Sequence, residues 1–88
     1  MTTKEPVEYR IRGIVLPSEF DDDRNVTGIG IETAEGEEYT IYMNRIGEEM
    51  MSFIDRRVEA RGTIKEMFGE LIFTVKSYVL LDADTTSV

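Results

Sequence analysis

The chain has 88 residues, of which 41% are hydrophobic, and a formal net charge of −8. That suffices for one domain and excludes a disordered chain, but a domain this small buries only about 60% of its unfolded surface and needs a closed core. Histidine and cysteine are both absent (His 0, Cys 0), which removes imidazole acid–base chemistry, imidazole and thiolate metal ligands, and disulfides.

The acidic balance argues against a partner held mainly by phosphate contacts. No window approaches the roughly 20 apolar residues that span a bilayer. Residues 1–6 lack the apolar core of a secretory signal, so a cytoplasmic location is expected. The same segment and residues 83–88 read as disordered tails around a single domain at 7–82.

A first strand is expected over 7–16, with Tyr9, Ile11 and Gly13 on one face and Glu8, Arg10 and Arg12 on the other. Gly13 suggests a bulge or sharp bend, and Pro17 is expected to end the pairing. Residues 18–25 then read as an acidic loop. A second strand over 26–33 turns Ile29 and Ile31 inward and Gly28, Gly30 and Glu32 outward. Its outward glycines would expose backbone to a close-approaching partner.

Ala34-Glu35-Gly36-Glu37 is a hairpin turn with Gly36 supplying the positive φ. The third strand, 38–43, places Tyr39, Ile41 and Met43 inward and Thr40 and Tyr42 outward. Over 44–55 the period changes from that of a strand to that of a helix. Ile46, Met50, Phe53 and Ile54 stand at i, i+4, i+7 and i+8, with Asn44 as N-cap.

The fourth strand starts at Arg56 or Arg57 and turns Val58, Ala60, Gly62 and Ile64 inward; small Ala60 and Gly62 leave room for a bulky neighbour such as Phe53. A hairpin loop over 66–70 leads to a fifth strand over 71–81, with Phe73 and Val75 inward.

An all-β chain of five strands, with a helix between the third and fourth, a glycine-bent first strand and Gly62-Thr63 in the fourth, resembles the OB-fold. The stretch Val58-Glu59-Ala60-Arg61-Gly62-Thr63-Ile64 is similar to a strand pattern common in OB domains. The resemblance implies a five-stranded Greek-key barrel capped by the helix. An SH3-like barrel is the alternative; it usually has only a short 3₁₀ turn at the helix position. The resemblance also implies a binding location on the outer face of strands two and three, between the first and last hairpin loops. Gly28, Gly30, Thr40 and Tyr42 would line that face, with Phe20, Met67 and Phe68 on the loops.

Aromatics at such a place suit either stacking on bases or anchoring a protein. Phe20 lies beside Glu19, Asp21, Asp22 and Asp23, and Phe68 between Glu66 and Glu70, so phosphates would meet like charge. A protein partner is therefore expected. Single-stranded nucleic acid is the alternative, with Arg10, Arg12, Arg61 and Lys65 contacting phosphate if they form a free stripe. Cross-strand pairing with Glu8 and Glu59 would consume them. Asp21, Asp23, Asn25, Thr27 and Glu32 have calcium-loop spacing, but Val26 stands where the loop needs glycine, so no metal and no cofactor are expected. A non-catalytic binding module is the expected function.

Overall fold

The computed structural model describes residues 7–81. The expected tails at 1–6 and 83–88 lie outside the described residues.

Five strands and one short helix follow one another as β1 (Tyr9–Phe20), β2 (Val26–Thr33), β3 (Glu38–Ile41), α1 (Arg45–Met50), β4 (Arg57–Met67) and β5 (Glu70–Leu80). The strands form one closed sheet in the order β1-β2-β3-β5-β4, with β4 returning to pair with β1. All contacts between neighbours are antiparallel except β3 with β5.

Alternation of apolar residues creates the core. Val15, Ile29, Ile31, Met50, Val58, Phe73 and Val75 are fully buried, each contributing on the order of 1.5–3 kcal/mol on removal from water. Tyr39 meets Phe73 edge to face, with ring centroids 5.9 Å apart. The sheet closes through β1, whose Gly13 lies opposite both Val58 on β4 and Thr33 on β2. A Cβ on Gly13 would sit 2.3 Å from the Glu32 carbonyl oxygen, so only glycine lets the two neighbours converge there.

The helix is shorter than its periodicity suggested. Asn44 caps it, its side-chain oxygen accepting from Gly47 N–H at 2.8 Å. After Met50 the chain tightens into a 3₁₀ turn, Met51–Phe53, and Ile54 is extended. Met50 alone of the four expected apolar positions is fully buried; Ile46 and Ile54 are half-buried against the core, and Phe53 is half-buried beside Tyr78.

Several expectations need correction. Pro17 does not end β1: it stays in register opposite Ile29, and the strand runs on to Phe20 through a bulge around Glu19. Val15 makes its backbone hydrogen bonds with Arg56 and Asp55. Two residues on, Pro17 faces the same way but β4 no longer lies there, so its missing N–H costs nothing. The acidic loop thereby shrinks to residues 21–25. β3 stops at Ile41, because Met43 belongs to the turn into the helix. Phe53 does not fill the space over Gly62. Phe73 and the Thr74 carbonyl occupy it, and Phe53 packs instead against Tyr78, with ring centroids 6.2 Å apart.

Candidate partner-binding surface

Gly30, Thr40 and Ile72 lie side by side across β2, β3 and β5 and mark the middle of the outer face. Thr40 is half-buried there. Register places Tyr42 beyond Thr40, towards the start of β2, where Phe20 pairs opposite Val26. The β4–β5 turn, with Met67 and Phe68, projects beyond the opposite end of the β3–β5 pair. The expected aromatics thus sit at the two ends of one face rather than in one cluster.

All are open to solvent: Phe20 is 57% exposed, Tyr42 56%, Met67 42% and Phe68 99%. Phe68 occupies an unusual position. It and Gly69 form a two-residue turn between Met67 and Glu70, with φ of 52° and 80°. That is the backbone of a type I′ turn, which favours Asn-Gly or Gly-Gly because both central residues are left-handed. A phenylalanine there is strained and buries nothing in the fold.

The outward glycines do not leave backbone open. Gly28 and Gly30 are both buried. The bulged Glu19 lays its side chain over Gly28, so that a Cβ would meet its carboxylate oxygen at 3.0 Å. On Gly30 a Cβ would lie 2.8 Å from the Tyr39 carbonyl oxygen, so this glycine serves the close approach of β3.

The rim of the face is acidic. Glu19, Glu32, Glu38, Glu66 and Glu70 are exposed on its strands and turns. In the β1–β2 turn, Asp21 accepts backbone hydrogen bonds from Asp23 N–H at 2.8 Å and Asn25 N–H at 2.9 Å, plus the Asn25 side-chain amide at 3.2 Å. The Asn25 backbone bond is the leading cause that holds its carboxyl below the usual 3.8. Asp21 therefore organises the turn, and no group of three or more Asp or Glu among the described residues is arranged to hold a metal ion.

Arg10, Arg12, Arg61 and Lys76 pair with cross-strand carboxylates, two cations to each carboxylate. Glu59 pairs with both Arg10 at 3.2 Å and Arg12 at 2.8 Å. Glu8 pairs with Arg61 and Lys76, each at 3.5 Å. Lys65 lies further along β4, opposite Ile72.

Sequence reasoning missed one feature. Where β1 leaves β2, an open groove of about 630 Å³ runs between the first half of β1 and the β2–β3 turn. Tyr9, Ile11, Thr33, Tyr39, Glu37 and Arg57 are among its lining residues. The Tyr39 hydroxyl donates to Glu37 at 3.0 Å; burial, and then this carboxylate, push the phenol above its usual range. The groove arises from unequal strand registers, which no local pattern announces.

The fold and surface define a small closed five-stranded domain with one short helix and an acidic rim. Compared with known proteins, the chain matches no family model, no curated protein and no solved structure. Among the described residues no helix is long and apolar enough to cross a membrane.

Proposed function

We propose that this chain is an OB-fold domain acting as a non-catalytic binding module, and that its partner is a protein engaged through the β4–β5 turn and the neighbouring outer face. Support for the OB-fold comes from the closed β1-β2-β3-β5-β4 order and the helix between β3 and β4. Support for a non-catalytic role comes from an interior filled by its own side chains.

The observation that carries the function is Phe68. The ring is 99% exposed on a backbone with φ of 52°. It costs the free domain stability and returns no burial, which fits a residue retained for an interface. Met67 beside it, and Phe20 and Tyr42 at the far end of the face, would extend the contact.

A protein suits the electrostatics better than nucleic acid does. Carboxylates flank both aromatic ends, and Arg10, Arg12 and Arg61 are engaged with Glu59 and Glu8. The test is a two-dimensional NMR titration of labelled protein with mixed-sequence single-stranded DNA at low salt. Resonances of Gly28, Gly30, Tyr42 and Phe68 are expected to stay in place. Shifts concentrated at these residues and reversed by added salt would overturn the reading in favour of nucleic acid.

A further inference from the structure

The first half of β1 carries a second edge, which adjoins the acidic rim at Glu32 and is independent of the β4–β5 turn. β1 serves two neighbours with different parts of its length. Its ladder with β4 begins at Tyr9, opposite Gly62, but its ladder with β2 begins only at Gly13, opposite Thr33. Beyond Thr33 the chain turns away: Thr33 N–H donates to the Glu37 carbonyl and Gly36 N–H to the Thr33 carbonyl. Among the described residues, no strand pairs with the second edge of residues 9–12.

Peptide groups alternate in direction along a strand. Val15 N–H donates to the Arg56 carbonyl, and the Val15 carbonyl accepts from Asp55 N–H. Residues 13, 11 and 9 therefore turn their backbone groups towards β4, while Arg12 and Arg10 turn theirs to the other side. That side is the open groove of about 630 Å³. An edge of this kind is a template for an added strand.

The side chains state what such a strand should carry. On the outer face, Arg10 and Arg12 share one carboxylate, that of Glu59, and so keep positive charge in excess. Residues directly across from them would best be acidic. On the other face, Tyr9, Ile11 and Tyr39 line the groove, and a residue facing them would best be apolar; Glu32, Glu35 and Glu37 line it on the β2–β3 side, so acidic residues of the added strand belong beside Arg10 and Arg12. A second copy of this chain fits poorly, because two-fold pairing of this edge would set Arg10 and Arg12 against their own counterparts.

We propose that the free edge of β1 at Arg10 and Arg12 accepts, as an added strand, an extended polypeptide segment that alternates acidic and apolar residues.

The probe is the blocked peptide acetyl-Val-Glu-Val-Glu-Val-amide, titrated into labelled full-length protein and followed by NMR and amide exchange. Shifts are expected at residues 9–13 and 34–37, with exchange slowed at the Arg10 and Arg12 amides. A Lys-for-Glu twin should bind at least about tenfold more weakly. N-methylation of the peptide nitrogens that face β1 should abolish binding, and methylation of the alternate nitrogens should leave it intact. Equal binding of the Lys twin, indifference to the methylation pattern, or no shift at millimolar peptide would each overturn the proposal. So would protection of Arg10 and Arg12 that grows with protein concentration alone, because the edge would then belong to a second copy.

Discussion

Replacing Phe68 by asparagine should make the free domain more stable. The left-handed backbone at φ 52° costs an L-residue with a bulky side chain about 1–2 kcal/mol, and asparagine tolerates it far better. No burial is lost in exchange, because the ring is 99% exposed. The expected net gain is about 1 kcal/mol, which in a domain of this size raises Tm by roughly 4–8 °C. Thermal unfolding followed by circular dichroism at two protein concentrations would read this directly. The same substitution should remove partner binding, so stability and function would move in opposite directions. A fall in Tm would refute the reasoning, since it would mean that the ring packs on the domain. A rise in Tm with binding intact would leave the turn strained but dismiss Phe68 as the anchor.

Other substitutions test the closure of the sheet and its caps. Gly62→Ala would force a Cβ to within 1.9 Å of the Thr74 carbonyl oxygen; since backbone must shift, a loss of about 3 kcal/mol or more in urea unfolding is expected. Asn44→Ala removes the bond to Gly47 N–H and should cost about 1 kcal/mol in the same assay. The Asp21 carboxyl, held down first by the Asn25 backbone bond, should titrate below its ordinary 3.8 by NMR. Because its folded value is depressed, its contribution is present above 3.8 and is lost as pH falls through the folded value. The Asn25 amide should lose exchange protection in that window, and Asp21→Asn should remove the pH dependence.

Much of the fold was legible because its determinants are local. β2 lies where the alternation of Ile29 and Ile31 ends against Gly36, and Asn44 caps the helix as its side chain suggests. Glu8 and Glu59 could be named as partners of the arginines because residues opposite one another on adjacent strands are fixed by topology. What escaped depends on neighbours distant in sequence. Pro17 reads as a stop, yet it is harmless on the side that β4 has already vacated. Gly28 and Gly30 read as open backbone, yet Glu19 and the Tyr39 carbonyl cover them. The strain at Phe68 was within reach, since a Phe-Gly pair between two strand patterns is an odd choice for a two-residue hairpin. The groove beside Arg10 and Arg12 was not, because it follows from the offset between two ladders.

The most direct measurement replaces Phe68 with a photoreactive benzoylphenylalanine in cells that make the protein, with the same residue at exposed Val79 on β5 as control. Irradiation should yield a discrete protein adduct from position 68 that persists at high salt and is absent from position 79. No adduct at 68, the same adducts from both positions, or an adduct containing nucleic acid would contradict a protein partner at the β4–β5 turn.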